Sequence, residues 1–182
     1  GDALASLDAD PDASLLHLDR LPEALRESRI SRLLRARALS ASGQAAAAET
    51  AFEELERDYP DDYLTQLIKA QEHASRGDFA RASAVLTRWL RNHDSPDPNM
   101  LRQVAQYQRA AGETAQSQRW FGEYYAMVGD LPRASAHLRE ALSNSEPGSN
   151  QHARLRSRLE EINERLGKPA PEPSDAESQP ED

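Results

Sequence analysis

Apolar and small residues recur every three or four positions along most of the chain, with polar residues between them. No stretch alternates Val, Ile, Thr or aromatic residues with polar ones for long enough to read as a strand. The pattern predicts amphipathic helices, and the helices repeat. Gly43 is followed by Ala48, Phe52 and Pro60, and Gly77, 34 residues on, is followed by Ala82 and Leu86 at the same offsets. Ala36 stands before Gly43 as Ala70 stands before Gly77. Segments 29–62 and 63–96 therefore read as one helical hairpin written twice. A third unit slips by one residue across Asp94-Ser95-Pro96-Asp97-Pro98 and then offers Ala105, Gly112 and Phe121. A fourth starts half a repeat later, near Ala115, with Gly122, Tyr125, Gly129, Ala134, Leu138 and Ala141. The helix over Thr114–Met127 is thus predicted to end one hairpin and begin the next.

The residue types suit that arrangement. Ala36, Ala70, Ala105 and Gly122 let backbones approach, while Phe52, Leu86, Phe121 and Leu138 fill the grooves beside them. Gly43, Gly77, Gly112 and Gly129 stand where each first helix must turn, at positions that favour positive φ. Asp130 ahead of Leu131-Pro132 reads as an N-cap. Flanking pieces close the array. Residues 1–28 form N-terminal capping helices, one starting at Asp10-Pro11-Asp12 with Leu15, Leu16 and Leu18, and Pro22 interrupts it. Residues 29–145 are the repeats. Glu146-Pro147-Gly148-Ser149 breaks the chain, and a capping helix over Asn150–Leu166, within 146–167, carries Leu155, Leu159, Ile162 and Leu166 on one stripe. Residues 168–182 read as a disordered acidic tail. The fold expected is all-α: an α-hairpin solenoid of about three to four repeats with flanking capping helices.

Composition adds exclusions. The chain is 38% hydrophobic and 5% aromatic over 182 residues, lean for a single globular core and rich in good helix formers. The formal net charge of −9 argues against nucleic acid as partner, because phosphate binding needs a basic face. Five of those charges (Glu172, Asp175, Glu177, Glu181 and Asp182) lie beyond Pro169, leaving −9 + 5 = −4 on the remainder. Without cysteine there is no disulfide, thiolate metal site or thiol chemistry. No apolar run is long enough to span a bilayer. The chain opens at Gly1 rather than Met, as a processed product or an excised domain would.

The 34-residue period and the order of Ala, Gly, Ala, aromatic or Leu, and Pro resemble the tetratricopeptide repeat over roughly residues 29–145. The aromatic usual in the middle of the first helix is replaced by Leu39, His73 and Gln108, and Tyr125 alone retains it. A narrower resemblance runs from Trp120-Phe121-Gly122-Glu123-Tyr124-Tyr125-Ala126-Met127-Val128-Gly129-Asp130-Leu131 through Ala134 and Leu138. It includes the Gln151-His152-Ala153-Arg154 to Arg165-Leu166 helix. These segments look like the end of periplasmic M48-type metalloproteases of the β-barrel assembly-enhancing kind. That resemblance implies a periplasmic location and a role beside outer-membrane assembly. The family's His-Glu-x-x-His motif is absent, so its activity does not transfer. The residues themselves leave the cytoplasm open.

No catalytic constellation emerges. His17, His73, His93, His137 and His152 lack metal-ligand spacing, and His73, in an aromatic position, reads as a packing residue. Glu53-Glu54 and Glu160-Glu161 point about 100° apart on a helix and read as solvated faces. Trp89 and Trp120 follow the second-helix pattern and read as core. No cofactor and no metal is expected. Binding is the better-founded expectation, with the first helices of successive hairpins lining a concave groove. The inward residues expected are Leu33, Arg37, Leu67, Gln71, Arg102, Gln106, Arg109 and Arg119. Their arginines suit an acidic or C-terminal peptide, though a genome rich in GC would scatter arginine in the same way. Inward Lys and Asn of the carboxylate-clamp kind are missing.

The expectation is a protein–protein interaction scaffold in the bacterial envelope that binds a protein or peptide. The alternatives are the recognition domain of a zinc metalloprotease whose catalytic part lies elsewhere, and a scaffold of polysaccharide, pilus or cell-wall machinery. The oligomeric state is left between a monomer and a weak homodimer pairing through terminal helices.

Overall fold

The computed structural model describes residues 10–93 and 97–167. The expectations for residues 1–9, for the slip at Asp94-Ser95-Pro96 and for the acidic tail over 168–182 lie outside them. Among the described residues there are helices and turns but no strand. The chain divides into two compact units, Gly1–Asp94 and Ser95–Asp182.

In the first unit α1 (Pro11–Asp19) and the single turn α2 (Glu23–Arg26) precede α3 (Arg29–Ala41) and α4 (Ala45–Asp58), followed by α5 (Tyr63–Ser75) and α6 (Phe79–Leu90). Four of the six starts carry a side-chain cap. Asp10 accepts from the Ala13 amide ahead of Pro11, Ser28 from Ser31, Asp62 from Thr65 and Asp78 from Arg81. Helices α3 and α4 pair around Leu33, Ala36, Phe52 and Leu55, and α5 and α6 pair around Ala70, Ala82 and Leu86. Helix α3 also packs on α1 and α5. Helix α1 meets α3 through Ser14 and Leu18, which are buried one turn apart, while Leu16 stays 59% exposed. Leu15, between Ser14 and Leu18, is half-buried. Asp62 caps α5 and also receives both its oxygens' bonds from Arg29 of α3 at 2.8 and 2.9 Å. Burial opposes ionisation of Asp62, but Thr65 and Arg29 outweigh it and hold the carboxyl below its ordinary range.

In the second unit α7 (Pro98–Ala110), α8 (Thr114–Met127), α9 (Leu131–Ser143) and α10 (Asn150–Arg165) follow one another, each packed on the next. Helix α8 is shared, paired as closely with α9 as with α7. Its two contacts use small residues. Toward α7 the buried Ser117 hydroxyl donates to the Ala105 carbonyl at 2.8 Å. Toward α9 Gly122 lies so close to Leu138 that a Cβ there would fall 2.7 Å from its Cγ. Helix α10 lays Leu155, Leu159 and Ile162 onto Ala126, Ala134, Leu138 and Ala141. Asp97, Asp130 and Ser149 cap α7, α9 and α10.

Four turns are built alike. After α3, α5, α7 and α8 a glycine sits at φ +79° to +84°. The next residue's amide reaches back to Leu39, His73, Gln108 and Tyr125 respectively, at 2.8–3.0 Å. The glycine amides bond to Ser40, Ala74, Arg109 and Ala126. This double bond pattern satisfies carbonyls that the helix end would leave orphaned. Because α8 ends in the same turn as α3, α5 and α7, it serves as a first helix although it also closes the third hairpin.

Candidate functional site

Among the described residues, each unit has a cleft lined by charged side chains. The cleft of the first unit, about 530 Å³, has α4 and α6 as walls and α5 as floor. Helix α5 contributes Lys69, His73 and, at its C-terminal end, Arg76, at i, i+4 and i+7 and hence on one face. Helix α6 contributes Arg81, Ala84, Val85 and Arg88, and α4 contributes Ala45, Ala46 and Glu49. The alanines keep the walls low and leave room for a ligand's backbone.

The floor is a connected polar network. Lys69 is only 5% exposed, and its Nζ lies 2.9 Å from Glu49 and 3.3 Å from Glu56. Glu49 is also 3.6 Å from Nε2 of His73. Burial would raise Glu49, but the Lys69 hydrogen bond and the charges of Lys69 and Arg76 hold it below the ordinary carboxylate value. Arg76 lies 3.1 Å from Nδ1 of His73 and donates to the Ser40 hydroxyl at 2.7 Å. A guanidinium can only donate, so Nδ1 of His73 accepts and the imidazole is neutral with its proton on Nε2. Burial lowers the His73 pKa; Glu49 pulls the other way, while Arg76 and Lys69 add to the lowering.

In the second unit α8 and the start of α10 enclose about 410 Å³ lined by Arg119, Glu123, Arg154 and Arg158. Arg158 forks onto Glu123 at 2.8–3.2 Å and reaches Glu161 at 2.5 Å, so its charge is spent within the fold. The guanidinium of Arg119 lies 4.8 Å over the buried Trp120 ring. A half-buried aromatic strip, Phe121, Tyr125 and His137, crosses α8 and α9, with His137 stacked on Tyr125 at 5.1 Å. His137 pairs with Gln118 at 2.5 Å, and Gln118 in turn donates to Glu140. Burial, before any charge, lowers the His137 pKa.

Within each unit the residues expected in a groove stand in different settings. Leu33 is 2% exposed inside the α3–α4 core, so no partner reaches it, and its place in a binding surface is withdrawn. Its apolar side chain is consumed by packing on Phe52 and Leu55. Arg37 is engaged by Glu72 of α5 at 3.5 Å. Leu67 is half-buried and Gln71 exposed, both about 200° round α5 from Lys69 and thus away from the cleft. Arg102, Gln106 and Arg109 do share one exposed face of α7, with Arg109 5.9 Å over Phe121 of α8. Arg119 belongs to the α8–α10 cleft instead. Trp120 is buried, and Trp89 is half-buried between Tyr63 and a stacked His93, its Nε1 sealed without a hydrogen-bond partner.

Glu49, Lys69, Arg76 and Arg88 were missed. A signal existed, since Lys69 is the only lysine before residue 168 in a chain that otherwise uses arginine. Among the described residues no three metal-ligating side chains converge, and no helix is long and apolar enough to cross a membrane. No protein-family model and no curated protein matches the chain.

Proposed function

We propose that this chain is a docking module that holds a polypeptide partner, and that the first unit's cleft is where the partner sits. The observation that carries the reading is that open cleft, walled by two second helices and floored by a satisfied polar network. Such a floor is rigid before any ligand arrives, which lowers the ordering cost of binding. The four equivalent glycine turns support the tetratricopeptide kind of hairpin. The envelope location is part of the proposal and rests on the resemblance around Trp120–Leu131.

The test is site-specific photo-crosslinking. Benzoylphenylalanine placed at Ala84 or Ala46, both exposed on the cleft walls, is expected to trap discrete partner bands in an envelope extract. The same probe at Gln71, on the far face of α5, is expected to trap none of them. Equal yields from Ala84 and Gln71 would remove the cleft from the function.

A further inference from the structure

We infer that the segment received by the first unit's cleft is a short run of carboxylates on the partner; this rests on the docking reading above and specifies its chemistry. Four cations, Lys69, Arg76, Arg81 and Arg88, face the cleft against one carboxylate, Glu49. They are not equally available. Lys69 is spent on Glu49 and Glu56. Arg76 donates to two neutral acceptors, the Ser40 hydroxyl and the His73 ring, which orient its fork and leave its charge uncompensated by contact. Arg81 has only Asp78, its own helix cap, at 3.5 Å with its side chain 75% exposed. The Arg88 side chain makes no hydrogen bond or ion pair among the described residues. Three guanidiniums thus converge on one space in a chain whose net charge is −9. Guanidiniums match carboxylate geometry with paired bonds.

The same surface disfavours a long polyanion. One turn beyond Glu49, α4 turns acidic at Glu53, Glu54 and Glu56. A nucleic-acid backbone would run off the cations onto that stretch, whereas two or three carboxylates end where the positive charge ends.

The experiment uses the whole chain and three fluorescein-labelled probes: an eight-residue Glu/Ala peptide, the same peptide with Gln for Glu, and an eight-nucleotide oligothymidylate. Anisotropy is expected to rise for the Glu peptide alone, with affinity falling about tenfold between 50 and 200 mM salt. Arg88→Glu and Arg76→Glu are each expected to weaken binding at least tenfold, and Gln71→Glu, on the far face, less than twofold. Equal binding of the Gln peptide, tighter binding of the oligothymidylate, or indifference to Arg88→Glu overturns the assignment. If Ala84 still crosslinks a partner while Arg88→Glu changes nothing, docking stands and the carboxylate assignment falls. If Ala84 also fails to crosslink, both fall.

Discussion

Gly122→Ala isolates the contact on which the second unit turns. In an ordinary helix interior the change is stabilising by about 1 kcal/mol, since alanine is the better helix former. Here the added methyl would lie 2.7 and 2.8 Å from Cγ and Cδ2 of Leu138. Carbon atoms rest at about 3.5–4.0 Å, so the overlap is near 1 Å. Leu138 has no exposed surface and lies in the cluster with Ala134, Leu155 and Leu159, so it cannot swing aside without opening that core. Overpacking of this kind costs about 1–3 kcal/mol. Set against the propensity gain, the net expectation is a loss of up to about 2 kcal/mol. Leu138→Ala removes both clashing atoms and leaves only the Ala134 carbonyl, at 3.5 Å, near the new methyl. In that background Gly122→Ala should therefore stabilise, by about 1 kcal/mol, giving a coupling of about 1–3 kcal/mol between the two positions. The assay is urea unfolding in a Trp89→Phe background, where Trp120 is the only indole and reports on the second unit. A higher midpoint for Gly122→Ala in both backgrounds would refute the close approach of α8 and α9.

Three further outcomes are expected. Acidification should destabilise the fold earlier than carboxylate titration alone would. His73 and His137 have folded pKa values below the ordinary value of about 6.5, so below that pH the unfolded chain takes up protons first and stability falls as pH drops. Urea midpoints at pH 7.5, 6.0 and 5.0 should decline, and less so in His73→Gln; a flat profile contradicts the reading. Lys69→Met should cost about 2 kcal/mol, because Glu49 and Glu56 lose their shared cation, and adding Glu49→Gln should restore part of it. No recovery in the double variant would show that the pair is not coupled. Gly77→Ala should cost about 1 kcal/mol with Gly77→Asn milder, for nothing lies within 4 Å of the new Cβ and only the φ of +79° opposes it. Thermal melts separate these from an unstrained turn, in which alanine would be neutral.

Much of the architecture was readable from residue spacing. The glycines at 43, 77, 112 and 129 mark turns because positive φ is a local demand that few other residues meet. The α8 boundaries and its double use follow from where small residues and glycines fall, and the leucine stripe of α10 follows from its period. The site was less readable. Periodicity tells which residues share a helical face, but a helix packed on two or three neighbours has several buried faces. Leu33 reads by its spacing as an open-surface residue, yet it is core. Likewise Lys69 looks like any polar residue until Glu49 and Glu56, 20 and 13 positions away, are brought beside it.

The sequence by itself determined the helices, their caps and turns, and the order in which neighbours pair, because each depends on interactions within a few residues or on a repeat of fixed length. Only the tertiary structure decided which charges remain unspent. Arg158 and Arg88 are alike as letters, yet one is forked onto Glu123 and Glu161 while the other meets no carboxylate among the described residues. A charge is free or consumed according to partners that folding brings in from distant positions. The cleft between α4 and α6, with its uncompensated guanidiniums, is a property of packed helices and not of any one of them.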